Sequence, residues 1–336
     1  MPRARLEDVA ARAGVSTATA SLVLRDRPGP SQATRERVRE AANAVSYRPD
    51  RSASLLARHR TQQLGVLLDV TSPFHGQLVG ALDEAAADRG FDLVLGAVTP
   101  RHDEGHVIET LLDHRCEGLV LLGSGFSQTR LAAVAARCPT VVVGRAGTPS
   151  VAGARAPDDQ GLRLAVDHLV DLGHERIAFV DGPRGSISTA RRRGYREAMA
   201  AHHLRSHIDV LAGGSTEAAG SGAAERVLAR SAGTRPTALV CFNDRCAVGL
   251  RDRLLRRGVG VPGEISVVGY DDSPPAALGT IDLTSVSQDP VGLAAATISL
   301  LSDLVEAGSM AGRKGGDVVV SPRLVVRSST APVSSS

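Results

Sequence analysis

Aromatic side chains are scarce in this chain: it has no tryptophan, three tyrosines and five phenylalanines in 336 residues. That leaves little ring surface for stacking against a ligand. Cysteine is nearly as rare, and Cys116, Cys138, Cys241 and Cys246 show no C-x-x-C spacing. The four sit in or beside apolar stretches and read as reduced core residues. Lys314 is the only lysine, so basic charge is carried almost entirely by arginine. With the abundant alanine this points to a high-GC genome and says nothing of function. No apolar run approaches the roughly 18 residues that a membrane span needs. The N-terminus, MPRARLEDV, lacks the apolar stretch of a signal peptide, so a cytoplasmic chain is expected, with no membrane partner.

Catalytic signatures are missing as well. There is no G-x-S-x-G, no P-loop, and no G-x-G-x-x-G at the first strand, and Gly123-Ser124-Gly125 reads as a strand-end turn. His102 and His106 stand four apart, a spacing that two zinc ligands share on a helix. The metalloprotease pattern, however, needs Glu directly after the first His, and here Asp103 holds that place in a polar loop entering a helix. No catalytic residue, metal or cofactor is expected.

What is present begins at residue 6. Leu6, Val9, Ala10 and Ala13 recur at i, i+3, i+4 and i+7, one apolar stripe of a short helix. Gly14 follows, where a left-handed backbone turns the chain without a Cβ clash. Ser16 offers a hydroxyl to cap a second helix whose exposed face carries Thr17, Ala18, Ser21 and Leu22. Two short helices about a glycine turn, the second led by small hydrogen-bonding residues, suit entry into a DNA major groove; an ordinary helical hairpin is the plainer reading. A third helix is expected within Ser31–Pro49, with Val38, Ala42 and Val45 on its apolar face and Pro49 barring continuation. Charge agrees with this helix-turn-helix bundle. Residues 1–60 hold twelve arginines against six acids, +6, so the remainder sums to −3 within the overall +3.

The rest of the chain is α/β. At 336 residues it is too long for one helical bundle and suits a small domain plus a large one. Apolar runs at 64–70, 91–98, 118–123, 139–144, 177–182, 208–213, 237–242 and 265–270 alternate with amphipathic segments. Uninterrupted apolar strands are covered on both faces, and β-α alternation implies parallel sheets with right-handed crossovers. Two sets of four strands suggest two Rossmann-like lobes.

LEDVAARAGVS followed by AT and Ser21, TRERVREAA, Tyr47–Pro49 and RSASLLAR resemble the lactose-repressor (LacI/GalR) family of bacterial transcription regulators. VDHLVDLGHERIAFV, CFNDRCAVGLRDRLLRRGVGVPGEISVVGYDD and LTSVSQDP extend the resemblance collinearly to about residue 330. It implies a DNA-binding domain at 1–49, a hinge at 50–61, and a two-lobed, periplasmic-binding-protein-like effector domain at 62–330. Residues 331–336, within STAPVSSS, read as a disordered tail. The chain should cross between lobes near Asp158–Gln160, Ser287–Asp289 and Asp317–Pro322. The DNA-facing set it implies is Leu6, Ser16, Thr17, Ala18, Thr19, Ser21, Leu22 and Arg25, with Thr34, Tyr47, Ala53 and Leu56. Leu56 matches a side chain that wedges into the minor groove at the centre of the site. Many members carry Arg where this chain has Leu22, and leucine cannot make arginine's bidentate bond to guanine.

Open α/β lobes bind ligands beyond the carboxyl ends of their strands. Phe74 and His75 follow the first strand there, Asn243 and Asp244 follow TALVCF, Asp271 and Asp272 follow ISVVGY, and Gln288 closes LTSVSQ. By the resemblance Arg191, Asn243, Asp271 and Gln288 contact a small effector, and Phe74 either packs or stacks. Asn243 and Asp271 are also natural helix caps, and Arg191 opens an arginine run that suits a solvated face. An arginine with carboxylate and amide groups suits a polyol, a sugar or another polar hydroxylated molecule. Gly213–Thr216 lacks the aromatic that many members place there, which weakens a simple sugar. The reading is a homodimeric repressor on palindromic double-stranded operator DNA, at the nucleoid, tuned by a small metabolite. The alternative is a ligand-binding module or sugar-processing enzyme on the same scaffold.

Overall fold

A computed structural model of the chain describes residues 4–24, 26–47, 60–308 and 316–333. It divides into two compact units, residues 1–61 and 62–336. Arg25, Ala53 and Leu56 lie outside the described residues, as does most of the expected hinge.

In the first unit, α1 (Leu6–Ala13), α2 (Thr17–Leu24) and α3 (Gln32–Ala44) enclose a core of Val9, Ala10, Ala13, Ala20, Val23, Val38, Ala41 and Ala42. Gly14 ends α1 at φ 63°, the conformation in which glycine avoids a Cβ clash. Ser16 Oγ accepts from the Thr19 amide at 3.1 Å, and Ser31 Oγ accepts from Thr34 N, so a serine caps each following helix. The third helix stops short of the expected end. Ser46 takes a positive φ of 51°, and the Tyr47 amide bonds back to Ala42 O at 2.8 Å, so Val45 caps the helix instead of continuing it. Proline bars its own position, but this C-cap already closes the helix before it.

Among the described residues the second unit holds two six-stranded sheets, the first of which takes its last strand from near the end of the chain. Lobe 1 contains β1 (Gln63–Asp69), β2 (Asp92–Val98), β3 (Gly118–Leu122), β4 (Thr140–Val143), β5 (Ala152–Arg155) and β11 (Val318–Val319), in the order β11-β5-β4-β3-β1-β2. Lobe 2 contains β6 (Ile177–Val180), β7 (Asp209–Leu211), β8 (Ala238–Cys241), β9 (Ser266–Asp271), β10 (Thr284–Ser287) and β12 (Arg323–Val325), in the order β12-β10-β9-β8-β6-β7. All pairings are parallel except β10 with β12. Four strands escape the sequence pattern, giving six per sheet instead of four. β5 reads AGAR and β10 reads TSVS, too polar or small to form an apolar run, while β11 and β12 span only two and three residues.

Helices α4 (Pro73–Ala87), α5 (Glu104–Asp113) and α6 (Gln128–Ala135) cover lobe 1. Lobe 2 carries α7 (Asp158–Asp171), α8 (Ser186–Ala201), α9 (Glu217–Leu228) and α10 (Asp244–Arg256). The chain then returns, and α11 (Pro290–Glu306) packs Leu293, Ala294, Ile298, Leu301 and Leu304 into the lobe 1 core. The three crossings fall at 156–157, 288–289 and 320–322, the first just ahead of the expected place. Four buried clusters line the two faces of both sheets, and the free thiols Cys116, Cys138, Cys241 and Cys246 sit within them. Each fully buried Val or Leu there contributes about 1.5–3 kcal/mol. No helix among the described residues is long and apolar enough to cross a membrane.

The expected disordered tail needs correction as far as Val333. Ser329 is buried, its Oγ donating to Val267 O and accepting from Thr284 N at 2.8 Å. The Ala331 amide bonds to Ser266 Oγ and the Val333 amide to Leu172 O. A polar, low-complexity end is held here because buried hydroxyls of β9 and β10 need partners, which its backbone supplies. Residues 334–336 lie outside the description.

Candidate functional site

Between the lobes lies a cavity of about 590 Å³, at the carboxyl ends of strands from both sheets. Its two walls differ in chemistry. Lobe 1 contributes apolar surface from Leu67, Val70, Phe74, Leu78, Val98 and Leu122 beside polar groups that include Asp69, Thr71, His75 and Glu104, whereas lobe 2 contributes Ser188, Arg191, Asn243, Asp271 and Gln288. Phe74, His75, Arg191, Asn243, Asp271 and Gln288, the residues expected from sequence to bind the effector, line this one cavity.

Arg191 is buried, not on a solvated arginine face, because its turn of α8 faces the sheet. Its Nε donates to Asp158 Oδ1 at 2.9 Å, Nη1 donates to the Phe242 carbonyl, and Nη2 lies 3.6 Å from Asp271 Oδ1. The guanidinium lies over Phe242 at 4.7 Å and over Tyr270 at 3.7 Å from the ring centres. Burial opposes its charge, but Asp158 and Asp271 outweigh that and hold its pKa above the ordinary arginine value. Gln288 Nε2 donates to Asp271 Oδ1 at 2.7 Å, and its side-chain oxygen is an acceptor. Asp271 itself sits at φ 109°, a conformation worth about 1–3 kcal/mol of strain in a non-glycine residue.

Carboxylates outnumber the buried cation. Burial pushes Asp271 up to about 6 against the opposing pull of Arg191, and burial followed by repulsion from Asp271 pushes Asp244 up to about 7. Burial also raises Asp158 despite its ion pair with Arg191. Asp244 is saturated with donors: the Ser273 amide at 2.7 Å, Ser273 Oγ at 2.8 Å and Ser285 Oγ. It organises the strand ends and does not line the cavity.

Asn243 serves as the N-cap of α10, accepting from Cys246 N at 3.0 Å while donating to Ser215 O at 3.1 Å. It is thus a helix cap and a cavity residue together. Phe74 is buried in the lobe 1 core and also lines the cavity, so packing and wall are a single role. His75 accepts from the Asp69 amide at Nδ1, 3.0 Å, and burial lowers its pKa. The neutral ring therefore carries its proton on Nε2, on the side towards Gly123. Ser215 brings no aromatic ring, but Phe242 lines the cavity in addition to Phe74.

Several lining residues have no motif signal. Glu104 binds the Gly125 amide at 2.8 Å and the Ser124 hydroxyl, fixing the turn after β3. Asp158, which does not line the cavity, is marked in the sequence as a crossing point but not as the arginine's partner. Asp69, Thr71 and Arg245 meet at the cavity rim only through the fold. His102 and His106 stack at 4.5 Å between ring centres, and the described residues contain no cluster fit for a metal.

On the N-terminal unit, Thr17, Ala18 and Leu22 are exposed on α2, with Leu22 at 41%. Ser16, Thr19 and Thr34 are engaged in the caps, whereas Leu6 and Tyr47 pack against the small core and Ser21 is half-buried.

Residues 5–50 match the lacI family of bacterial regulatory proteins, and residues 166–330 match a periplasmic binding protein-like domain. The HTH-type transcriptional regulator GalR of Salmonella typhimurium strain LT2 is 37% identical over 276 residues, covering 80% of either chain. A LacI transcriptional regulator from a Rhodococcus species is 42% identical, with a TM-score of 0.77 over 81% of this chain and 99% of that one. The lac repressor dimer bound to operator and the anti-inducer ONPF is 29% identical, with a TM-score of 0.82 over 98% of this chain and 99% of that one.

Proposed function

Because this chain belongs to the lacI family of bacterial regulatory proteins, we propose that it is a homodimeric repressor whose operator affinity is set by a small metabolite held between the two lobes. The observation that carries this reading is the pairing, in one chain, of a basic helix-turn-helix with a two-walled cavity at the strand ends. One recognition helix of small side chains reads few bases, and two-fold symmetry doubles that readout on a palindromic site. Thr17, Ala18, Ser21 and Leu22 face the major groove in this reading, with Leu6, Ser16, Thr19, Arg25, Thr34 and Tyr47 at the flanking backbone. Ala53 and Leu56 belong to the hinge. The protein acts where the DNA is, in the cytoplasm, and catalyses no reaction.

The ligand class follows from what the cavity leaves unspent. Arg191, the buried arginine of the cavity, is already engaged by Asp158, Asp271 and a carbonyl, and the other lining arginines, Arg184 and Arg245, stand nearer its mouth. The Gln288 carbonyl and the second Asp271 oxygen accept hydrogen bonds, and His75 Nε2 donates one. Opposite Gln288 and Asp271 stands the apolar surface of Leu67, Phe74, Leu78 and Val98, on the lobe that also carries His75. A neutral hydroxylated molecule with one apolar face fits this arrangement.

A gel shift on the DNA upstream of the regulator's own operon tests the reading, run with metabolite extract split by anion exchange at neutral pH. Binding of the protein to a palindromic site that changes with the unretained fraction is the expected result. A response confined to the retained, anionic fraction would contradict the ligand class, and no shift at all would contradict the operator reading.

A further inference from the structure

Four polar side chains form a continuous bridge across the mouth of the cavity, from one lobe to the other. On lobe 2, Arg245 in the first turn of α10 is clamped by Glu217 at the start of α9, Nε to Oε1 at 2.9 Å and Nη2 to Oε2 at 2.6 Å. Its remaining terminal nitrogen, Nη1, reaches over to lobe 1 and donates to Thr71 Oγ1 at 3.1 Å. Thr71 has only one hydroxyl proton, and it goes to Asp69 Oδ1 at 2.8 Å. The same carboxylate oxygen accepts the Thr71 amide at 2.8 Å. The hydroxyl is thereby oriented with a lone pair towards the arginine. The Asp69 amide in turn donates to His75 Nδ1, the ring whose other nitrogen lies on the cavity side.

We propose that Glu217–Arg245–Thr71–Asp69 is an interlobe clasp that sets how far the two lobes stand apart, with His75 as its link to the bound ligand. Each lobe supplies a prepared half. The bidentate Glu217 contact fixes the arginine's plane, so little further rotamer freedom is lost when Nη1 meets the threonine. The Asp69 contacts likewise fix the hydroxyl's direction. The site is solvent-accessible, with the Arg245 side chain 19% exposed and that of Glu217 50%, so the bond is worth little against global unfolding. An interlobe equilibrium balanced within a few kcal/mol is a different case, since one bond then moves the populations measurably. Ligand contact at His75 reaches the clasp through the Asp69 backbone, which gives the effector a route to the lobe angle. Only that last step rests on the effector reading above.

Distance measurement between the lobes tests the clasp without any ligand. All four native cysteines are buried, so nitroxides attach selectively at Thr129→Cys on lobe 1 and Glu197→Cys on lobe 2, both exposed positions. Labelled full-length protein is diluted with unlabelled protein so that only distances within one chain are read. Thr71→Val and Arg245→Gln should each raise the ratio of wide to narrow separations by roughly three- to tenfold. Thr71→Ser, which keeps the hydroxyl, should retain the parent distribution, and Thr71→Val with Arg245→Gln should widen no further than either alone. Parent-like distances in both single variants would overturn the clasp, as would Thr71→Ser opening as far as Thr71→Val. Operator affinity is titrated in parallel: widened distances with unchanged affinity leave the clasp standing and contradict the coupling proposed above.

Discussion

Arg191 shows how a binding residue and a structural one become the same side chain. Its guanidinium lines the cavity, yet its bonds to Asp158 and the Phe242 carbonyl make it the counter-charge of a buried acidic group. Arg191→Ala would strand Asp158 and Asp271 without a cation, and is expected to cost about 3–5 kcal/mol in urea denaturation, too much for a clean test of ligand binding. Asp271→Asn keeps the acceptor for Gln288 and removes only charge, so it serves better. It also makes a pH prediction. The folded-state pKa of Asp271 is raised to about 6, so the folded chain holds a proton that the unfolded chain has already released. The stability this contributes is full below the ordinary carboxylate range and is lost as pH rises through the folded value. Relative to the parent, Asp271→Asn should therefore be more stable at about pH 7.5 than at about pH 4.5. A parent–variant difference that stays constant across that window would contradict the raised value. Asp271 was legible in the sequence because it closes an apolar strand, where open α/β lobes place ligand groups, and Gln288 through the family resemblance. Asp158 was not, since nothing local tells a helix-starting aspartate from one that neutralises an arginine 33 residues away.

At the level of elements, the pairing of α9 with α10 positions the lobe 2 half of the rim. A Cβ at Gly220 would stand 1.9 Å from Cys246 O, and one at Gly249 would stand 2.0 Å from Glu217 O. The two glycines let the helix backbones touch, which brings Glu217 to Arg245 and holds Asn243 at the cap. Gly249→Ala should push the helices apart at a cost of about 1–3 kcal/mol by chemical denaturation, and should loosen the Glu217–Arg245 pair with it. A fully parent-like denaturation midpoint would show that the contact relaxes freely. This part of the fold was invisible beforehand, because a glycine in a helix looks the same whether it faces solvent or another backbone. The eight apolar strands were visible because burial on both faces demands uninterrupted hydrophobic runs. β10 was hidden for the opposite reason: Thr284, Ser285 and Ser287 are buried with hydroxyl partners, several on the C-terminal segment. Polarity there signals hydrogen bonding, not exposure.

Across the whole molecule, charge and chemistry are segregated along the sequence. The first 60 residues carry +6 and the remaining 276 carry −3, which divides non-specific attraction to DNA from ligand recognition. Arginines near the N-terminus supply salt-dependent attraction to phosphates, insensitive to base sequence. Leu56 lies outside the described residues and owes its assigned role to the family resemblance. Leu56→Ala should lower operator affinity by a few kcal/mol at most while leaving random-DNA affinity and its salt slope nearly unchanged. An unchanged operator-to-random ratio across a salt series would make the hinge a passive linker. The central claim, that a ligand between the lobes governs operator affinity, is tested most directly by one titration. Fluorescence anisotropy of labelled operator is measured for the parent and for Asp271→Asn, with and without the active extract fraction. The parent's affinity should change by roughly 5- to 150-fold on adding that fraction, the span of typical allosteric coupling. Asp271→Asn should bind operator as tightly as the ligand-free parent and not respond. A variant that responds as the parent does would show that the effector acts somewhere other than this cavity.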